Sequence, residues 1–348
     1  MPLHSRILTI ATAVPPYRLE QADVIQRVRK LFAGAPTLER LMPVFENTGI
    51  RMRYSCVPIE WYDRPHGWPE RNRVYIASAL DLLETTTIKL LDHAGLDKTA
   101  IDAVVTVSTT GIATPSLDAL LIERMGLRRD VRRLPIFGLG CAGGVVGLAR
   151  AASQALAAPG ETVLFLVVEL CALAFRGDDW SKSNIVATAL FGDGAAGALL
   201  STHGNGPAIV ASTEHTWPGS LDVMGWDVAD DGFKAVFSRD IPQLVATELR
   251  AVAEAFLGRH SLALTDIDRF LCHPGGAKVI TALEHAFHLQ HGALAGARLV
   301  LRDYGNMSAA TVLFVMDQMR ATAPQWNLGL MTALGPGFTA GFLLLDNR

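Results

Sequence analysis

Three side chains carry the chemistry this sequence can offer, and each sits where an apolar run gives way to glycine. Cys141 lies in Phe137-Gly-Leu-Gly-Cys-Ala-Gly-Gly144, after a strand-like end and before a helical pattern running to Ala157. A thiol at a helix N-terminus meets free N–H groups and the positive end of the dipole, which favour the thiolate and hence a nucleophile. The flanking glycines permit a tight turn and let a substrate approach the backbone. His273, in Phe270-Leu-Cys-His-Pro-Gly-Gly276, ends another apolar run at a forced turn, the place where α/β proteins hold ligands. Asn306, in Asp303-Tyr-Gly-Asn-Met-Ser-Ala-Ala310, brings an amide donor that, beside a histidine, suits a developing enolate oxygen. Each has a plainer reading as a buried structural thiol, a satisfied imidazole or a helix N-cap. The glycine setting of Cys141 and the turn after His273 favour chemistry. Gly138-x-Gly140-x-x-Gly143, with Glu169 closing the next strand, is formally a dinucleotide fingerprint for a nicotinamide-dependent oxidoreductase, but it leaves Cys141 unexplained.

These positions depend on the elements that carry them. Apolar runs over Ala103–Val107, Thr162–Val168 and Gly341–Leu345 predict buried strands. Helical spacing marks Tyr75–Ala94, Pro115–Met125, Gly144–Ala157 and Leu244–Leu257, and the alternation predicts an α/β fold. The two halves also echo each other. Leu96-Asp-Lys-Thr-Ala-Ile-Asp102 matches Leu262-Ala-Leu-Thr-Asp-Ile-Asp268; Cys141 follows Ile101 by 40 residues and Asn306 follows Ile267 by 39. A further echo joins Gly192-Asp-Gly-Ala-Ala-Gly197 to Gly335-Pro-Gly-Phe-Thr-Ala-Gly341. Two copies packed about a pseudo-twofold axis would bring Cys141 and Asn306 to one cavity. The boundary is expected in the polar stretch Ser201-Thr-His-Gly-Asn-Gly-Pro207, giving units 1–205 and 206–348.

Composition narrows the classes. Half of the 348 residues are hydrophobic and 19% are charged, which suits a large interior rather than a disordered chain. A net charge of -3 without basic runs gives no footprint for nucleic acid or an anionic membrane. Cys56, Cys141, Cys171 and Cys272 lack the paired spacing of zinc sites or disulfide frameworks, so they read as free thiols in a reducing compartment. The N-terminus lacks a secretory pattern, and the apolar stretch 162–175 is too short to span a bilayer; a soluble cytoplasmic protein is expected.

Seven motifs together resemble type III polyketide synthases, the chalcone synthase family. They are Thr109-Thr-Gly-Ile-Ala-Thr-Pro115, Gly140-Cys-Ala-Gly-Gly144, Phe175-Arg-Gly177, Leu190-Phe-Gly-Asp-Gly-Ala195, His273-Pro-Gly-Gly276, Tyr304-Gly-Asn-Met-Ser308 and Gly335-Pro-Gly337. The resemblance implies a thiolase-like, layered αβαβα fold of two pseudo-duplicated halves. It implies that Cys141, His273 and Asn306 catalyse iterative condensation of malonyl-CoA onto an acyl-CoA starter, without metal or added cofactor. Phe191 corresponds to a gatekeeping phenylalanine, and Thr109, Thr110, Cys171, Ala174, Ala235, Ser308, Gly335, Pro336 and Gly337 to pocket positions. At Cys171, Ala174 and Ala235 this chain departs from the plant pattern toward small or less polar side chains, which suggests a roomier pocket for a fatty acyl starter. Met224-Gly-Trp-Asp-Val228 and Phe237-Ser-Arg-Asp-Ile-Pro242 are similar to bacterial members making alkylresorcinols or alkylpyrones. Arg40 and Lys278 match CoA-binding positions, whereas Pro43 and Asn47 stand where other basic residues occur. Thr114 falls where plant relatives insert a methionine into the partner's cavity, so a homodimer is expected. The alternatives are an initiating ketoacyl-carrier-protein synthase, which usually carries His-Gln-Ala-Asn in place of His273-Pro-Gly-Gly276, and a non-catalytic acyl-binding module.

Overall fold

The computed structural model describes residues 3–34, 38–238, 240–322 and 325–348. The strands are β1 (Ser5–Ala13), β2 (Tyr17–Glu20), β3 (Met52–Ser55), β4 (Ile101–Val107), β5 (Arg132–Ile136), β6 (Thr162–Leu170), β7 (Asp193–Ser201), β8 (Ala208–Thr216), β9 (Met224–Ala229), β10 (Gly232–Phe237), β11 (Arg269–Cys272), β12 (Leu328–Gly335) and β13 (Thr339–Asp346). The α-helices are α1 (Gln21–Leu31), α2 (Leu38–Leu41), α3 (Pro43–Asn47), α4 (Trp68–Ala94), α5 (Leu117–Met125), α6 (Gly143–Ala157), α7 (Lys182–Leu190), α8 (Ile241–Gly258), α9 (Ala277–Ala286), α10 (Ala295–Tyr304) and α11 (Thr311–Thr322). The expected strands and helices are all present. The helix expected from Tyr75 starts seven residues earlier, at Trp68, because Pro69 supplies a favourable first turn that its polar neighbours hide from an apolar-periodicity reading.

Nine strands form one sheet in the order β11-β12-β13-β8-β1-β7-β6-β4-β5. The order reads as a palindrome about the β8/β1 junction. β4 pairs with β6 in parallel, as β11 does with β12; β6 is antiparallel to β7, as β12 is to β13. Ser5↔Ile209 and Arg6↔Ala208 pair the halves along that junction. β5 alone has no counterpart, and it leaves an open edge. The internal echo in the sequence is therefore a structural duplication in a thiolase-like, layered α/β fold.

Equivalent helices α6 and α11 lie in the middle layer. α6 buries ten residues around its circumference, among them Val145, Val146, Leu148 and Ala152, as a helix enclosed on every side must. Close approach is set by glycine: a Cβ on Gly144 would stand 2.2 Å from the carbonyl oxygen of Ala309, just before α11. Helix α4 packs on the other face of the first half, with Leu82, Leu83 and Leu90 against Leu164, Leu166 and Leu199. Among the described residues, no helix is long and apolar enough to cross a membrane.

Candidate active site

Cys141 lies in a single 3-10 turn, Gly140–Ala142, that runs directly into α6. Gly140 has φ +47°, and a Cβ there would stand 2.5 Å from the Pro336 ring, so glycine is required on both conformational and steric grounds. The turn is held by the Gly140 N–H, which donates to the Thr109 hydroxyl at 3.1 Å. From the other half, Gly335 closes against Leu139 and Ala142. Gly335 and Pro336 thus brace the thiol's turn from behind.

His273 directly follows β11; its N–H donates to the carbonyl of Thr332 at 2.9 Å and extends the strand pairing by one residue. The imidazole is 5% exposed, and neither ring nitrogen has a hydrogen-bond partner among the described residues. A buried imidazole with two unused nitrogens is incomplete without something else in its cavity. Asn306 follows Gly305 after α10 and is clamped between Leu190 and Gly192: its N–H donates to Leu190 and its carbonyl accepts from Gly192, at 2.8 and 3.0 Å. The side-chain oxygen accepts from the Ser308 N–H at 2.8 Å, which leaves the amide nitrogen as donor; it reaches the carbonyl of Gly275 at 3.2 Å. Cys141, His273 and Asn306 line one cavity of about 330 Å³, shared with Leu190, Phe237 and Leu334. The two halves have delivered their equivalent helix starts to a common chamber.

Enclosure in the protein pushes Cys141 up to about 12, and burial pulls His273 down to about 4. Burial by itself favours the neutral form of each group. A thiolate here needs its proton placed on His273, so that the two charges stabilise each other.

Glu169, deep on β6, is a part of the site that the sequence reading passed over. It accepts from the Thr109 N–H at 3.0 Å and the Thr110 hydroxyl at 2.9 Å, while Ser308 reaches it from the opposite half at 3.4 Å. The Ser308 N–H in turn holds the Asn306 side-chain oxygen, so Glu169 is tied to the site through one intervening residue. Burial lifts Glu169 to about 7 despite those donors. A carboxyl raised in the folded state adds stability below its unfolded value, and that contribution is lost as pH rises through about 7. Glu169→Gln is therefore expected to gain on wild type by on the order of 3 kcal/mol between pH 5 and pH 9. Urea unfolding at both pH values checks this; a gap that stays constant would refute it.

The remaining expected positions divide. Thr109 and Thr110 are 2% and 9% exposed and serve as braces for Gly140 and Glu169 rather than as an open wall. Cys171, Phe191 and Ala235 pack together with Trp226 and Phe237. The space expected at Ala174 is taken by aromatic rings: Trp226 and Phe233 stack at 5.9 Å and leave a void of about 20 Å³ there. The apolar room lies on another side, in a narrow cavity of about 60 Å³ that Cys171 and Phe191 border together with Leu19, Val24, Val28 and Ala187. Gly337, at φ +71°, ends the bracing loop. Lys278 lines the main cavity, whereas Arg40 lies on α2 and Pro43 on α3, both outside its lining. Lys182, absent from the expectations, lines it too. Arg239 lies outside the described residues.

Comparison with known proteins gives the same picture along the whole chain. The family described as chalcone and stilbene synthases matches through its N-terminal domain over residues 4–204 and its C-terminal domain over residues 206–347. A Bacillus subtilis (strain 168) protein provisionally named a chalcone synthase is 40% identical, over 98% of each chain. The 1,3,6,8-tetrahydroxynaphthalene synthase of Streptomyces peucetius subsp. caesius is 39% identical, over 97% of this chain and 92% of its own. The crystal structure of the synthase of that name from Streptomyces coelicolor A3(2), a bacterial type III polyketide synthase, superposes with a TM-score of 0.94 at 28% identity, over 98% of this chain and 99% of that one.

Proposed function

Because the chain belongs to the chalcone and stilbene synthase family of type III polyketide synthases, we propose that Cys141 carries the growing acyl chain while His273 and Asn306 hold the enolate made from malonyl-CoA. The protein is an acyltransferase that condenses malonyl-CoA, and the family's CoA thioesters react without an added cofactor. The observation that carries the residue roles is the single cavity shared by Cys141, His273 and Asn306, with no carboxylate in its lining. In the first step the Cys141 thiolate attacks the starter's carbonyl carbon, and the sulfur–carbon bond to CoA breaks. His273, having taken the thiol proton, returns it to the departing CoA sulfur. Malonyl-CoA then loses carbon dioxide, and the electron pair of the broken bond becomes an enolate whose oxygen lies against His273 and the Asn306 amide. The enolate carbon attacks the Cys141 thioester, forms the new carbon–carbon bond and releases the thiolate. The extended chain leaves as a CoA thioester and can return to Cys141. The N-terminal unit, 1–205, supplies the nucleophile, and the C-terminal unit, 206–348, supplies the enolate site.

For the starter we infer a fatty acyl group, whose tail would use the narrow apolar cavity beyond Cys171 and Phe191, and whose extended chain closes to an alkylresorcinol or alkylpyrone. Support comes from its lining, where Leu19, Val24, Val28, Phe175 and Ala187 offer an alkyl chain apolar contact beside the polar Arg27, Arg53 and Thr188. The tetrahydroxynaphthalene synthases among the relatives support a second reading, in which a small starter occupies the chamber and the product is naphthalene-like. Mass spectrometry of products from malonyl-CoA alone, and from malonyl-CoA with a long acyl-CoA, separates them. Ala187→Phe, which fills the narrow cavity, is expected to lower kcat/KM for the long starter at least tenfold relative to a short one. An unchanged ratio would remove the tail from that cavity.

A homodimer is proposed on the open edge of β5. Beside it Ile112 and Phe137 are 48% and 58% exposed, and the buried Asp118 has no hydrogen bond to either carboxylate oxygen among the described residues; Arg133 lies 3.7 Å away. Sedimentation should give twice the chain mass of 37.4 kDa, and a concentration-independent monomer would contradict the assignment.

A further inference from the structure

The C-terminal end of α7 is held by a cation buried beside the active site. Arg53, on β3, is 2% exposed, and its hydrogen-bond partners are uncharged oxygens rather than a carboxylate. One terminal nitrogen donates to the carbonyls of Thr188 and Phe191 at 2.7 and 2.9 Å. The other donates to the carbonyl of Ala189 at 2.8 Å and to the side-chain oxygen of Gln21. Gln21 in turn donates to the same Ala189 carbonyl at 3.3 Å. A helix leaves its last carbonyls without partners of its own. Here those of Thr188, Ala189 and Phe191 go to Arg53, and the carbonyl of Leu190 between them accepts from the backbone N–H of Asn306 at 2.8 Å.

The stem of Arg53 lies where these two segments cross. A Cβ on Gly192 would stand 3.2 Å from the Arg53 Cβ and 2.4 Å from the Tyr304 carbonyl oxygen. One on Gly305 would stand 3.4 Å from the Arg53 Cβ and 3.0 Å from the Leu190 carbonyl oxygen. Glycine on both segments therefore lets the chain before Asn306 lie against the chain that leaves α7, with Arg53 packed on both. Burial pulls Arg53 down to about 10, and an apolar side chain of similar length would fill the same space without that desolvation cost. The charge is explained by what it holds. A planar fork meets several carbonyls with two nitrogens, which the single nitrogen of a lysine does not.

We infer that Arg53 is a positioning residue for Asn306: it locks the end of α7 so that Leu190 and Gly192 hold the Asn306 backbone, and through it the side-chain amide at the cavity. The inference rests on the role given to Asn306 in the condensing reaction above. The turn that carries Cys141 is braced by other groups, Thr109 and Pro336. Arg53 thus bears on formation of the enolate and not on loading of the starter.

Arg53→Met keeps the stem and removes the fork. In this variant kcat for malonyl-CoA decarboxylation should fall about ten- to a hundredfold with KM within about threefold, the cost of a displaced catalytic group. Acylation of Cys141 by a starter should stay within about threefold of wild type. A merely structural role would weaken both steps alike. The same substitution made in Asn306→Ala should cost twofold or less, because no amide remains to be positioned. An equal loss in both backgrounds, or equal losses of acylation and decarboxylation, overturns the inference. Amide hydrogen exchange reads the clamp without turnover: the Gly192 and Asn306 N–H groups should exchange at least about tenfold faster in Arg53→Met, with β4 and β6 unchanged. Unchanged exchange at both amides also overturns it. Should Arg53→Met fail to fold, Arg53→Lys takes its place, with a kcat loss of about three- to tenfold and the same dependence on Asn306. If wild type itself does not decarboxylate malonyl-CoA, the condensing reading fails, and the exchange rates alone decide whether Arg53 holds Asn306.

Discussion

Cys141→Ala should abolish formation of extended products, by roughly 10⁴-fold or more, while leaving malonyl-CoA decarboxylation within an order of magnitude of wild type. The split follows from the two halves of the site. Without the sulfur no acyl chain can wait for the enolate, but His273 and the Asn306 amide still face malonyl-CoA. The alanine removes one atom from a wall of the cavity, so stability should change by about 1 kcal/mol or less. Chromatography of acetyl-CoA and products in the same reaction reads both quantities. Loss of both activities in a folded variant would mean that the thiol also serves decarboxylation; continued extension would mean that another group carries the chain.

Asn306→Asp gives the complementary result. The aspartate keeps the oxygen that accepts from the Ser308 N–H at 2.8 Å, so the local turn is preserved. It loses the N–H donor and puts a negative charge where the enolate oxygen must sit. Decarboxylation and extension should both fall about 10²–10³-fold, the usual cost of removing one such donor. Acylation of Cys141 by a starter should persist. Single-turnover labelling separates the steps, and a variant that acylates slowly but decarboxylates normally would reassign Asn306 to a structural role.

Much of this was legible in the sequence because the chain repeats itself. The echo that pairs Cys141 with Asn306 is the symmetry of the sheet, where β4 and β6 are mirrored by β11 and β12. The glycines around Cys141 were read as freedom for a substrate, and part of their purpose is different: Gly144 exists for the passage of Ala309, and Gly140 for Pro336. Those contacts join residues far apart in the chain and leave no local periodicity. Glu169 had a signal, since a carboxylate inside the apolar run Thr162–Leu170 is costly to bury and calls for partners. The pocket was harder. Small residues at Ala174 and Ala235 suggested room there, but Trp226 and Phe233, on the same hairpin as Ala235, determine how much is left. Volume is a property of all the walls, and one wall was visible. The enclosure of the thiol was not legible for a related reason: the helix start is written in the sequence, whereas the burial that pushes Cys141 up to about 12 is made by the whole fold.

The central claim is that the growing chain is bound to Cys141, and peptide mass spectrometry tests it most directly. The protein would be mixed with a starter acyl-CoA in the absence of malonyl-CoA, quenched in acid, digested and read for the added acyl mass. The account predicts the acyl group on the peptide containing Cys141, its absence in Cys141→Ala, and its release into extended product when malonyl-CoA is supplied before the quench. An acyl group on Cys171 that malonyl-CoA discharges into product, or extension with no acylated cysteine at any time, would contradict it.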